Sequence, residues 1–161
     1  MGTKVVVFND ASLTIDNCFL GLWDASCLHL EGESFHSIGH YLYWKKATVV
    51  GDTEIADRLL KVTEEQEIKF FGYDIKHQES DKWNTVRYAS LKRALVEVAQ
   101  DRTVVPRLKE YPVDTLFVYS DKMDKVYGTG LDKKAKENES PDTWNGQNLL
   151  GRAWSEVRRM M

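Results

Sequence analysis

Strand-type and helix-type runs do not alternate in this chain, and that order restricts its fold more than any other property. Residues 4–8 form a short apolar run rich in Val, a buried strand by pattern. Leu28-His29-Leu30 and Ser34-Phe35 flank Glu31-Gly32-Glu33, a small hairpin with Gly at the bend. Over 37–49 the spacing turns helical: Ile38, Tyr41, Leu42 and Lys45 recur at three- and four-residue intervals, and Gly51 ends the run. Asp52 is placed to cap a second helix with Ile55, Leu59 and Val62 on one face. Thr63-Glu64-Glu65-Gln66 has the form of a capping box and predicts a third. Ser80 or Asp81 opens the longest helix, which runs to about Gln100 with Trp83, Arg87, Leu91, Ala94 or Leu95, and Val98 along one stripe. Pro106 and Pro112 bracket a connector, and 115–119 is a strand by composition. The polar stretch 132–143, which contains Pro141, predicts a mobile loop. Asn145 or Gln147 begins a last helix with Leu150, Ala153, Trp154 and Val157 inward. This order predicts a helix-rich α+β domain with a small sheet and a hairpin, not a doubly wound sheet.

The 161 residues suffice for one domain, 1–161, with a real core. A formal net charge of -3 excludes a chain-wide polyanion-binding surface. Cys18 and Cys27 have no metal-type spacing and follow no secretory signal, so both are expected as small buried apolar groups in a reducing cytosol. No apolar run approaches a membrane span. The expected location is cytoplasmic, a phage protein made inside a cell included, with no metal and no cofactor. Aromatic residues, at 11%, are numerous enough for some to stack on a flat ring ligand as well as fill the core.

Several residues have types suited to chemistry. Ser37-Ile38-Gly39-His40-Tyr41 opens a helix, whose first N–H groups and dipole favour phosphate or carboxylate. Gly39 would let a ligand approach the backbone; a plain N-cap followed by a tolerated Gly fits the same residues. His40 is a candidate general base or phosphate donor, or a satisfied core histidine. Of Lys45 and Lys46, one is expected to be solvated and one inward, the latter able to pair a phosphate or attack an aldehydic C1. Tyr127-Gly128-Thr129-Gly130 follows a strand but precedes a polar loop, which makes a dinucleotide fingerprint a poor match and leaves a tight turn or a close backbone approach to a ligand. Asp124 and Asp132 flank it. A carboxylate here could steer water toward a sugar carbon, as cleavage through an oxocarbenium-like transition state requires, or could simply serve a surface turn.

In order along the chain, these blocks resemble the NADAR superfamily of YbiA-like N-glycosidases. The family's F–S–x–E–H–Y–x-x-x-x–K block corresponds to Phe35 through Lys46, preceded by a hairpin Gly, here Gly32. A Trp and Arg on a long helix correspond to Trp83 and Arg87. A strand ending in Ser, then Asp, then W–G–x–G corresponds to Ser120, Asp124 and Tyr127-Gly128-Thr129-Gly130. The closing N–x-x–G and V–R correspond to Asn148, Gly151, Val157 and Arg158. The resemblance implies a YbiA-like α+β fold that cleaves N-glycosidic bonds of ribosyl-phosphate or ADP-ribosyl compounds. Its partner is a small nucleotide or ADP-ribosyl ligand, with nucleic acid only as an ADP-ribosylated substrate. It implies catalytic roles for Asp124, Lys46 and His40, and with the family Glu missing, Asp124 or Asp132, which flanks the same turn, is the candidate to supply the catalytic carboxylate. It implies ligand contacts for Ser37, Gly39, Tyr41, Trp83, Arg87, Tyr127, Gly128, Gly130 and Asn148. Two positions depart from the pattern. The family Glu, by the resemblance a general acid–base group or a hydrogen-bonding partner of ribose hydroxyls, is Gly39 here, and losing a positioned catalytic group removes on the order of 10²–10⁴ in rate; the family Trp is Tyr127. The alternative to a hydrolase is a binding protein that sequesters an ADP-ribose-like or cyclic nucleotide signal, as in phage counter-defence.

Overall fold

A computed structural model describes residues 3–76 and 80–161. The chain divides into two compact units, one made of Met1–Gly21 with Ala99–Met161, the other of Leu22–Val98.

In the first unit, β1 (Val5–Phe8) and β4 (Leu116–Tyr119) pair in parallel, with Val5 opposite Leu116 and Phe8 opposite Tyr119. Leu116 N–H and Ser120 N–H donate across the ladder to Lys4 O and Phe8 O. Alternate β4 residues face the other way, and among the described residues no strand meets them there. Side chains of α6 (Leu149–Arg159) do so: Ser155 Oγ accepts Phe117 N–H at 2.9 Å, and Asn148 Oδ1 accepts Tyr119 N–H at 2.8 Å. Thus side chains of a helix and its cap satisfy Phe117 N–H and Tyr119 N–H on the second edge of a two-stranded sheet. Leu150, Ala153, Trp154 and Val157 line the inward face of α6, as the periodicity predicts. Trp154 Nε1–H donates to Leu20 O at 3.0 Å, and Phe19 meets its ring edge-on. Gly151 is fixed by the same packing, because a Cβ there would overlap Phe117 O and the Asn148 amide.

The connector around Pro106 is a short helix, α5 (Val104–Lys109). Pro106 sits in its first turn, where the missing N–H costs nothing. The segment 132–143, expected as a mobile loop, is anchored by a side chain. Asn138, 0% exposed, donates to Ser120 Oγ and Asp132 O and accepts from Thr129 Oγ1.

In the second unit, β2 (Leu28–Leu30) and β3 (Glu33–Phe35) form the expected hairpin, with Gly32 at φ 80. α1 (Ile38–Val49) packs against α2 (Thr53–Leu59), α3 (Glu65–Tyr73) and α4 (Asp81–Val98). Ala47, Ile55, Ala56, Leu59, Ile68 and Ile75 make the core between the first three. Asp52 caps α2 through Ile55 N–H and also accepts Lys76 N–H. The Thr63 capping box does not form: α3 starts one residue later, with Glu64 at the cap and no side-chain bond there. Cys27 is exposed and Cys18 only half-buried, so the expectation of two buried thiols fails; Cys27 stands beside His29 on the outer face of the hairpin, 3.7 Å from Nε2. Among the described residues no helix is long and apolar enough to cross a membrane.

Candidate functional site

The α1 block lies in the second unit, and most of its polar atoms have protein partners. Ser37 Oγ accepts His40 N–H at 3.1 Å and so serves as the N-cap. His40 is 1% exposed. Its Nδ1 accepts His36 N–H, and its Nε2–H donates to Leu59 O at 2.6 Å. That pair of bonds fixes one neutral tautomer and leaves no ring nitrogen for a substrate proton. Burial, with the nearby His36, holds the ring's pKa below the ordinary histidine value despite the Leu59 bond. The general-base expectation for His40 is therefore replaced by a structural role tying α1 to the end of α2.

Tyr41, buried, donates its hydroxyl to Glu31 Oε2 at 2.7 Å, while Lys45 Nζ reaches Glu31 Oε1 at 2.7 Å. Burial and then the Glu31 carboxylate push the Tyr41 hydroxyl far up in pKa, so it stays a donor. Glu31 itself is desolvated, which raises its pKa, but the bonds from Lys45 and Tyr41 outweigh this and hold it below the ordinary value. Lys45 is thus spent on the hairpin, and Lys46 is half-buried.

Gly39 does not open the backbone to a ligand. It is buried, its N–H donates to Leu22 O at 2.7 Å, and a Cβ built on it would lie 2.7 Å from Cζ2 and Cη2 of Trp23. The indole of Trp23 takes the space expected to be empty. No pattern in the sequence marked Trp23, because the contact is between residues on different elements.

On α4, Trp83 is 2% exposed and the Arg87 guanidinium lies 5.7 Å from its ring centroid. Arg87 Nε is buried and has no hydrogen-bond partner among the described residues. An orphaned buried guanidinium donor in a folded protein calls for an acceptor, and a phosphate or carboxylate oxygen is what that planar fork binds best.

In the first unit, Asp124 Oδ1 accepts Val126 N–H and Tyr127 N–H at 2.9 and 2.8 Å, which fixes the carboxylate over the turn. Gly128 is required by the fold: a Cβ there would stand 2.9 Å from Asp124 O and 3.0 Å from Tyr119 O. Gly130 adopts φ 70, and Tyr127 is half-buried. Asn148, expected to bind ligand, is 0% exposed; besides Tyr119 N–H it donates Nδ2–H to Phe117 O at 3.1 Å. Its amide is therefore consumed by β4.

Asp132 is exposed and lines a cleft of about 280 Å³ together with Asp10, Ser120, Asp121, Lys122 and Lys133. The cleft lies at the carboxyl ends of β1 and β4, where parallel strands commonly present their functional residues. Tyr119 Oη donates to Asp10 Oδ2 and Asp121 Oδ2 at 3.0 and 3.3 Å, and burial followed by these two carboxylates drives its pKa upward. Sequence reasoning passed over Asp10 and Asp121, although each follows a predicted strand within two residues. Among the described residues no three His, Cys, Asp or Glu side chains are grouped to hold a metal ion.

Comparison with known proteins completes the description. Protein irg-1 of Caenorhabditis elegans is 28% identical over 120 residues, which is 73% of this chain and 57% of that protein, so the chain spans little more than half of this curated relative. The NMR structure of the E. coli protein YbiA matches with a TM-score of 0.75 over 99% of this chain and 86% of its own, at 18% identity, a likeness of fold. The NADAR domain model matches residues 8–161, a stretch that contains every motif block described above, and the chain belongs to the NADAR family.

Proposed function

We propose that this chain is an N-glycosidase-type hydrolase acting on a ribosyl-phosphate or ADP-ribosyl compound. The observation that carries the reading is Arg87: its buried Nε lacks an acceptor among the described residues, beside Trp83, in the Trp–Arg block of a NADAR domain. A ligand phosphate supplies that acceptor, and Lys46 is assigned to the same anion or to the sugar C1. Cleavage needs a carboxylate to orient the attacking water and to stabilise positive charge on the sugar; Asp124, its Oδ1 held by two backbone N–H groups, is the carboxylate to be tested for that role. Water adds its oxygen to C1, the C1–N bond breaks, and the base departs with the remaining proton.

One observation favours a second reading. The position of the family carboxylate is Gly39, and Trp23 covers it. A protein closed there retains a ligand without cleaving it, as a cytoplasmic sponge for a nucleotide signal would. The two readings separate on incubation with ADP-ribosylated guanosine, NAD and cyclic ADP-ribose followed by chromatography. Sustained base release that Asp124→Asn lowers by on the order of 10²-fold or more supports the hydrolase. Stoichiometric retention without release supports the binder. If Arg87→Lys retains ligand as well as the wild type does, the Arg87 assignment is wrong under either reading.

A further inference from the structure

Two aromatic rings in the second unit are wedged between two glycines. Trp23 presses on Gly39, where a Cβ would lie 2.7 Å from two ring atoms and 2.9 Å from a third. Tyr43 presses on Gly72 of α3, where a Cβ would lie 2.5 Å from its ring. The rings pack on each other with centroids 6.0 Å apart. Lys69 Nζ lies 4.8 Å from the Trp23 ring centroid and is itself held by Glu65 at 2.9 Å. Movement of Trp23 toward Tyr43 is resisted, because Tyr43 is already pressed on Gly72 and meets Tyr73 edge-on. Cation–π attraction from Lys69 further favours the seated ring.

We infer that Trp23 is a specificity-determining residue: its indole, wedged on Gly39 and backed by Tyr43, fills the volume in which a longer side chain at 39 would act on the ligand. The ring offers a flat apolar wall where a carboxylate would offer hydrogen bonds to sugar hydroxyls, so discrimination at this wall follows ring shape instead of hydroxyl pattern. For its ligand the inference rests on the ribosyl reading above; the wedge itself needs no ligand to be tested.

The test is a cycle of Gly39→Ala and Trp23→Leu, repeated with Trp23→Phe in case the smaller residue does not fold. Gly39→Ala alone is expected to lower the thermal midpoint by about 3–10 °C, since overpacked cores resist one added methyl. With Trp23→Leu present, the same Ala is expected to be neutral or stabilising, as helix propensity favours it. Equal losses in both backgrounds overturn the wedge. The second arm compares retention of ADP-ribose with that of 2′-deoxy-ADP-ribose. The wild type is expected to hold them within about threefold, and Trp23→Leu/Gly39→Glu to prefer the hydroxylated ligand by roughly tenfold, about what one added hydrogen bond contributes. Coupled unfolding with unchanged selectivity overturns the specificity claim. If no variant holds either ligand, the ribosyl reading fails while the unfolding cycle still decides the wedge.

Discussion

Replacing Asn148 is the sharpest test of whether a motif residue serves the fold or the ligand. In Asn148→Ala, Tyr119 N–H and Phe117 O both lose their partner in a site with no access to water. Leaving a buried backbone group unpaired costs about 1–3 kcal/mol, so the two together cost about 2–6. Asn148 also sits at φ 51, and moving Ala into the left-handed region costs about 1 kcal/mol more than Asn, which tolerates it. The total is about 3–7 kcal/mol, against a typical stability of about 5–15. Urea unfolding followed by circular dichroism is expected to show a midpoint lowered by about a fifth or more. Asn148→Gly removes the backbone strain but not the two lost bonds, so it should recover only about 1 kcal/mol. Asn148→Asp keeps the acceptor for Tyr119 N–H and sets a carboxylate oxygen against Phe117 O, and it should be no better than Ala. A loss below about 1 kcal/mol in Asn148→Ala, accompanied by loss of ligand retention, would refute the argument and return Asn148 to the ligand site.

Further expectations concern protonation and loop anchoring. Because His40 is held neutral with its pKa below 6.5, the unfolded chain binds the proton first; stability is complete above pH 6.5 and falls as pH drops through and below it. Urea titrations between pH 7.5 and 5 should show that slope in the wild type and a flatter one in His40→Gln. For Glu31, whose pKa lies below 4.5 in the fold, stability is present above 4.5 and is lost as pH falls below it. Glu31→Gln should lower the thermal midpoint at pH 7 and flatten that acid limb, so that variant and wild type converge as pH falls, as melts from pH 7 to pH 3 would register. Asn138→Ala should release the 132–143 segment, read as faster cleavage there by a nonspecific protease; an unchanged rate would mean that Asn138 is not the anchor.

Periodicity and caps carried much of the fold. The inward stripe of α6, the Asp52 cap and the Gly32 hairpin were all legible, because each is a local pattern with one physical outcome. The capping box at Thr63 was local too, yet the start of α3 shifted by one residue, since Glu64 in an extended conformation starts the helix without it. Pro106 misled because a proline in the first turn leaves a helix intact, although it is more often a breaker. The candidate site was harder. His40 and Asn148 have polar side chains that look available in sequence, but their partners are backbone groups of residues far along the chain, Leu59 for the first and Phe117 and Tyr119 for the second. Trp23 was invisible for the same reason. What a glycine leaves room for depends on which ring the fold delivers to it.

The parallel pairing of β1 with β4 has a consequence for how the polypeptide is made. Its first strand leaves the ribosome long before its partner, and the entire Leu22–Val98 unit is synthesised in the interval. Until β4 and α6 emerge, the Val-rich segment at 5–8 exposes an unsatisfied edge, the kind of element on which nascent chains aggregate or recruit chaperones. Closure of so distant a ladder is entropically slow, so the N-terminal segment is expected to be the last piece of the molecule to acquire protection from hydrogen exchange.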